Sequence, residues 1–316
     1  KERRVDFQDG SSEIYDVLVL ATGSTARKLP VPGGDHPDLL ELRTLKDAER
    51  LKAVLGPGKR LAVVGGGYVG LEAAASARAL GAEVVVIERM ERVLARVASE
   101  PLSAFFSERH RAMGVQILTG AEVVAVARDG VTLADGSVVR ADAVLVGVGA
   151  LACEGLALSA DLLCHDGVVV DEQARTNDPA IFAVGDMTRR PVPVHGGMRH
   201  RLESVPNALE QAKQAASAIV GRPPPPPEVP WFWSDQYEFK LQIAGLPFDA
   251  DQQVVRGDPA NGSFAVFHLA GDRVVCVEAI NAPPEFMAGK QMIGKSTPVD
   301  IGKLRDPAVS MKAVAL

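Results

Sequence analysis

Cysteine is scarce and dispersed: Cys153, Cys164 and Cys276 are the three in 316 residues, with no C-x-x-C pair among them. That spacing excludes a disulfide framework, a zinc cluster and a redox dithiol at the level of sequence, and it suits an intracellular, reducing compartment. Long apolar runs are also missing. The longest, Ala141 to Cys153, is broken by Asp142 and by glycines and falls short of the roughly 18–20 residues that a bilayer span requires, so no membrane segment is expected. The opening Lys1-Glu2-Arg3-Arg4 leads into a strand-like stretch instead of the apolar core of a signal peptide, and the chain reads as cytoplasmic. Basic residues are not in excess either. A net charge of −6 argues against nucleic acid as a partner, because phosphate binding needs a basic surface. The six histidines, including His195 and His200, lack metal-ligand spacing; they are expected in solvent, with no metal site.

What is present is an ordinary globular composition, 47% hydrophobic and 23% charged, on a chain longer than the roughly 250–300 residues at which one core stops growing. More than one domain follows. Val5 to Phe7 and Tyr15 to Leu20 read as two strands around the Asp9-Gly10 turn, and Leu42 to Leu55 as a helix stopped by Gly56-Pro57-Gly58. From Leu61 to Ile87 the pattern is strand, glycine turn, helix, strand, as in a βαβ unit. A helix from Ser99 to Gly114, a strand at Val115 to Leu118, a three-stranded meander from Val123 to Val139 and a strand at Ala143 to Val146 complete that unit. Strands at Val168 to Val170 and Ile181 to Val184 and a helix from Asn207 to Val220 come next. The five prolines Pro223 to Pro227 form a stiff connector, and beyond them four alternating strands and a helix from Pro283 to Met292 make a small α+β domain.

The motif with chemistry in it is Gly65-x-Gly67-x-x-Gly70, directly after a strand and at the start of a helix, where a dinucleotide pyrophosphate rests on the helix N-terminus. Glu88 ends the next strand, about 20 residues on, where an acid hydrogen-bonds the adenosine ribose 2′-hydroxyl. A carboxylate there repels a 2′-phosphate, so NADH is favoured over NADPH, although Arg89 and Arg96 stand close by in sequence. Glu72 is placed in the first helical turn, where two explanations stay open: an acid favoured by the helix dipole, or a group facing the nicotinamide.

Several segments together carry a resemblance: Leu20-Ala21-Thr22-Gly23-Ser24, Leu42-Arg43-Thr44-Leu45-x-Asp47-Ala48, Gly65 to Glu72, Ile181-Phe182-Ala183-Val184-Gly185-Asp186 and Trp231-Phe232-Trp233-Ser234-Asp235-Gln236. In this order they resemble the FAD-dependent ferredoxin reductases of bacterial oxygenase systems, relatives of glutathione reductase without its active-site disulfide. The resemblance implies an α/β fold with two Rossmann-like, three-layer nucleotide-binding domains, the first incomplete, plus a C-terminal α+β interface domain. Residues 1–32 and 151–228 would form the FAD domain, 33–150 the NADH domain and 229–316 the C-terminal domain. Ala21, Thr22 and Gly23 resemble a loop near the FAD nucleotide, Arg43 a flavin-contacting arginine and Asp186 the acid on the ribityl chain. Val205 resembles a backbone position facing the flavin ring, and Trp233 the tryptophan beside it. Tyr68 and Val69 lie inside the NADH motif, Glu72 matches the glutamate facing the nicotinamide, Arg96 an arginine near the adenosine, and Gly149 a loop near the nicotinamide. The family's first Gly-x-Gly-x-x-Gly, for the FAD pyrophosphate, does not precede Tyr15, so an N-terminal piece is expected to be missing.

The implied reaction carries electrons from NADH through FAD to a small iron–sulfur ferredoxin. Without a dithiol there is no thiol exit for them. Rubredoxin reductase and NADH oxidase are rival activities, and a non-catalytic nucleotide-binding scaffold is the rival of another class. Lys290, Lys295, Lys303, Arg305 and Lys312 outnumber Asp300 and Asp306 near the C-terminus and are candidates to steer an acidic ferredoxin. Whether the protein forms oligomers stays open at this level.

Overall fold

The computed structural model describes residues 3–316; the charged start at Lys1 and Glu2 lies outside them. The chain divides into two compact units, Lys1–Thr25 with Leu151–Phe232, and Ala26–Ala150 with Trp233–Leu316.

In the second unit the strands Ala143–Val146, Arg60–Val64, Glu83–Ile87 and Val115–Leu118 lie side by side in that order, every adjacent pair parallel. Such a sheet is covered on both faces, which is why its strands read as unbroken apolar runs. Ala62, Val64, Val85 and Ile87 point into a core shared with Val123, Val126, Val131 and Leu133 of the antiparallel meander Val123–Ala127, Gly130–Leu133 and Val138–Arg140. On the opposite face Val63 approaches Gly70 of the helix Tyr68–Ala79. Helix, parallel sheet and meander are the three layers that the resemblance implied.

The C-terminal part of this unit is a five-stranded antiparallel sheet, ordered Trp231–Gln236, Phe239–Gly245, Arg273–Ile280, Ser263–Ala270 and Gln252–Asp258, packed by the helix Pro283–Lys295. The sequence reading found four of these strands and missed Trp231–Gln236. Its burial does not alternate cleanly, with Trp231 and Phe232 half-buried and Trp233 exposed. Arg256 is 4% exposed and fastens the chain end to the sheet, donating to the carbonyls of Leu304 (3.1 Å), Asp306 (2.6 Å) and Val309 (2.6 Å).

The first unit holds the parallel pair Leu18–Leu20 and Ile181–Ala183. Ile181 and Ala183 turn to a core with Leu20, Leu162, Val168 and Met187, while Phe182 turns the other way, onto Ala215 of the helix Val205–Ile219. The Asp9-Gly10 turn joins Arg4–Asp6 to Ser12–Ile14, and Leu18–Leu20 is a separate third strand. Two strands were expected there; the hairpin partner Ser12–Ile14 is exposed throughout and lies before Tyr15, and Leu18–Leu20 instead pairs in parallel with Ile181–Ala183. No helix among the described residues is long and apolar enough to cross a membrane.

Candidate functional site

In the second unit the strand Arg60–Val64 ends at Gly65, whose φ of +108° is a conformation that side chains rarely adopt. A Cβ on Gly65 would stand 2.4 Å from the Gly147 carbonyl oxygen, and one on Gly70 would stand 2.1 Å from the Gly65 carbonyl oxygen. Gly70 therefore sets how closely the helix Tyr68–Ala79 approaches its strand. Gly67 is the N-cap of that helix, with no side-chain cap bond among the described residues and nothing within 4 Å of a would-be Cβ. An uncapped twelve-residue helix end facing open space is suited to an anion, since the helix dipole and the terminal N–H groups favour negative charge. The residues thus fit a dinucleotide pyrophosphate.

Glu88 is half-buried at the tip of the next strand. Its Oε2 accepts the Gly66 N–H at 2.7 Å and its Oε1 accepts the Met90 N–H at 2.8 Å. The acid is thus built into the glycine turn as well as standing beside it. The segment that follows is tied to the same turn: Leu94 N–H donates to the Gly66 carbonyl at 2.9 Å, Tyr68 Oη to the Val97 carbonyl at 3.0 Å, and Arg92 to the carbonyls of Ala95 and Ala98. Arg96 is exposed on this segment, 4.0 Å from the position of a Cβ on Gly149. The structure therefore brings Gly65, Gly67, Tyr68, Gly70, Glu88, Arg96 and Gly149 to the carboxyl end of the parallel sheet, with Val69 exposed beside them.

Glu72 is the fifth residue of its helix, and the first turn contains no acid. The expectation that it sits in the first turn is corrected, and with it goes the helix-dipole explanation, which fades beyond that turn. Instead Glu72 accepts a 2.5 Å hydrogen bond from Ser234 Oγ. Burial raises its pKa above the usual carboxylate range; the Ser234 hydrogen bond opposes that rise and the nearby charge of Asp235 adds to it. Ser234 is the residue that sequence reasoning passed over, although it lies in the Trp233-Ser234-Asp235-Gln236 segment. Its neighbour Trp233 is 44% exposed. Arg43 is exposed, and its backbone N–H faces Asp47 Oδ2 at 3.2 Å beside the capping box that starts the helix Leu45–Val54.

In the first unit, Thr22 sits between two carriers of the loop: its N–H faces Met187 Sδ at 3.2 Å and its Oγ1 donates to the Cys153 carbonyl at 2.9 Å. Gly23 has φ +66° and accepts the Cys153 N–H at 2.9 Å. Asp186 stands in the 3-10 turn Gly185–Met187 after the strand Ile181–Ala183, and Ser24 Oγ donates to its Oδ2 at 3.2 Å. Ala21 to Ser24 and Asp186 therefore converge, a loop of backbone polar groups facing a carboxylate that suits a ligand rich in hydroxyls. Gln211 holds the turn from behind, its Oε1 accepting the Gly185 N–H at 2.9 Å and the Thr188 hydroxyl at 2.8 Å. Val205 opens the helix Val205–Ile219 and is exposed. His110, His195 and His268 were expected in solvent and are buried; for His195 the short 3-10 turn Pro193–His195 folds inward between prolines and glycines that gave no periodicity to read.

Residues 1–212 match the pyridine nucleotide-disulphide oxidoreductase family and residues 231–315 the reductase C-terminal domain. The chain is 50% identical to a probable ferredoxin reductase of Castellaniella defragrans, over 99% of this chain and 78% of that protein. It is 41% identical to putidaredoxin reductase of Pseudomonas putida, over 99% of this chain and 76% of that protein. Among solved structures it superimposes on the covalent putidaredoxin reductase–putidaredoxin complex with a TM-score of 0.95 and 41% identity, covering 98% of this chain and 77% of that one.

Proposed function

Because the chain belongs to the pyridine nucleotide-disulphide oxidoreductase family, we propose that its Gly65-to-Gly70 turn, Glu88 and Glu72 seat NADH. The protein is a ferredoxin reductase: it passes electrons from NADH through FAD to a ferredoxin of an oxygenase system. FAD, when bound, takes a hydride and releases electrons singly, chemistry that belongs to the cofactor. The polypeptide contributes position and electrostatics. Gly67 and the helix end behind it receive the pyrophosphate, Glu88 the adenosine ribose, and Arg96 the adenosine side of the site. Tyr68, Val69 and Gly149 border the nicotinamide half, with Glu72 facing the ring. In the first unit, Ala21, Thr22, Gly23 and Asp186 hold the FAD nucleotide and ribityl chain, and Val205 offers backbone to the flavin ring. Arg43 is assigned to contact the flavin and Trp233 to pack beside its ring. Residues 1–32 and 151–228 are taken as the FAD domain, 33–150 as the NADH domain and 229–316 as the interface domain.

The observation that carries the NADH assignment is Glu88, which joins a ribose-reading carboxylate to the glycine turn through Gly66. Replacing Glu88 by alanine is expected to raise KM for NADH about tenfold or more, one hydrogen bond to a charged group contributing about 1.5–3 kcal/mol. The preference over NADPH should shrink at the same time. Steady-state kinetics with both nucleotides check this; an unchanged NADH-to-NADPH ratio would remove Glu88 from ribose recognition.

The ferredoxin approaches a surface that includes Lys290 and Lys295, on the helix Pro283–Lys295. Reversing both charges is expected to slow ferredoxin reduction at low salt by about tenfold, within the range of electrostatic steering, and the difference should fade as ionic strength rises. Reduction of the flavin by NADH should be untouched. Equal ferredoxin rates at low salt in variant and parent would place the docking surface elsewhere.

A further inference from the structure

Glu72 ends a line of four hydrogen bonds that runs along Trp231–Gln236, the edge strand of the C-terminal sheet, to the helix Glu100–Ala112 of the same unit. Ser234 Oγ meets Glu72 Oε1 at 2.5 Å, Gln236 Nε2 meets Ser234 Oγ at 3.1 Å, His110 Nε2 meets Gln236 Oε1 at 2.9 Å, and Tyr237 Oη meets His110 Nδ1 at 3.1 Å. Ser234, Gln236 and His110 are each no more than 1% exposed. Ser234 and Gln236 belong to the sequence segment from which only Trp233 had been given a role.

The direction of each bond follows from the one before it. An ionised carboxylate can only accept, so Ser234 donates its hydroxyl proton to Glu72. The serine oxygen is then left to accept, which turns the Gln236 amide nitrogen toward it and the amide oxygen toward His110. That oxygen requires a proton on His110 Nε2, so a neutral ring has its lone pair on Nδ1 and takes the hydrogen bond from Tyr237. Burial lowers the pKa of His110, which favours the neutral ring. Tyr237, held at φ +56°, keeps its proton, its pKa pushed up to about 12 by burial. All four dipoles point toward the carboxylate, and aligned hydrogen bonds in a dry interior strengthen one another.

We propose that Ser234, Gln236, His110 and Tyr237 are positioning residues for Glu72, a one-way hydrogen-bond chain that aims the carboxylate and keeps it charged for the nicotinamide of NADH. The proposal rests on the reading of Glu72 as a nicotinamide-facing group. Protonating Glu72 would weaken the acceptor at the end of the chain, because a neutral carboxyl oxygen accepts the Ser234 hydroxyl less strongly than a carboxylate does, and every donor aligned behind it would lose part of its stabilisation. The chain therefore opposes the effect of burial, which raises the Glu72 pKa. The charged groups around it are Asp235, which adds to that rise, and, at the far end, Arg78 and Glu238, which act on Tyr237 in opposite directions.

The test is a pH titration of Glu72 by carbon-13 NMR of carboxyl-labelled glutamate, the signal assigned by its loss in Glu72→Gln, alongside the pH profile of flavin reduction by NADH in the FAD-loaded protein. In Ser234→Ala the Glu72 midpoint is expected to move up by about one pH unit, the equivalent of one lost hydrogen bond to a charge, and the acidic limb of flavin reduction should move with it. His110→Phe should give an upward shift about half as large, because the chain is cut two members away, and His110→Gln, which keeps an N–H donor toward Gln236, should restore the midpoint. Midpoints in Ser234→Ala and His110→Phe equal to that of the parent would overturn the chain while leaving Glu72 in place. A Glu72→Gln protein whose reduction profile matches the parent at every pH would instead overturn the nicotinamide reading of Glu72, and the proposal with it.

Discussion

In Gly70→Ala, NADH-driven flavin reduction is expected to fall about a hundredfold or more, while flavin reduction by dithionite stays normal. A Cβ at this position would stand 2.1 Å from the Gly65 carbonyl oxygen and 3.3 Å from Val63 Cγ1. The first neighbour is backbone and cannot swing aside, so either the helix lifts off the strand or the glycine turn deforms. Both moves displace the helix end proposed to receive the pyrophosphate, and a misplacement of about 1 Å in a reacting pair lowers rate by about 10²-fold. The strain should also cost about 1–3 kcal/mol of stability, the usual cost of overpacking. By contrast Gly67→Ala, whose added methyl meets nothing within 4 Å, should leave stability nearly unchanged and affect only the nucleotide. Stopped-flow reduction and thermal unfolding of the two variants separate packing from contact. Near-parental NADH kinetics in Gly70→Ala would mean that close helix–strand packing does not set the site.

The second large effect is expected at Arg190. Its guanidinium is 4% exposed and pairs with Glu210 through Nη1 at 2.8 Å and Nη2 at 3.3 Å, while Nη1 also reaches Asn207 Oδ1 at 3.1 Å. Removing one partner of a buried pair leaves the other charge unsatisfied, so Arg190→Met should cost about 3–5 kcal/mol. Arg190→Met with Glu210→Gln should return most of it, because the amide removes the stranded charge and still accepts the Glu228 N–H that now sits at 2.9 Å. Chemical denaturation of the parent, both single variants and the double variant gives the coupling directly. The single variant should also retain flavin less well, since Asn207 Nδ2 donates to Gln211 Oε1, which holds the Gly185–Met187 turn that carries Asp186. A loss below about 1 kcal/mol in Arg190→Met would show that water reaches the site and screens the charge.

The two variants mark where the sequence is explicit and where it is silent. The glycine spacing, the flanking strand and helix and the acid at Glu88 are local facts. Each is a rule about which residue tolerates a given backbone angle or approach, so the three-layer nucleotide-binding architecture could be read from neighbours in the chain. The helix Val205–Ile219 was also visible, but not that Asn207, Glu210, Gln211 and Gln214 on it are buried. In the sequence they look like a solvent face. Arg190 pairs with Asn207 and Glu210, and Gln211 accepts from Gly185 and Thr188, partners outside the helix whose hydrogen bonds leave no periodicity.

The same divide runs through the catalytic edge. By itself the sequence determined the dinucleotide turn and the acid at the tip of the following strand, because these depend on residue type and short spacing. The tertiary structure alone decided that Glu72 lies beyond the reach of the helix dipole and ends a chain drawn from His110 on one helix and Ser234, Gln236 and Tyr237 on and just beyond a distant strand. A hydrogen bond needs two groups within about 3 Å, and for residues more than a hundred positions apart only the packing of the folded core brings them that close.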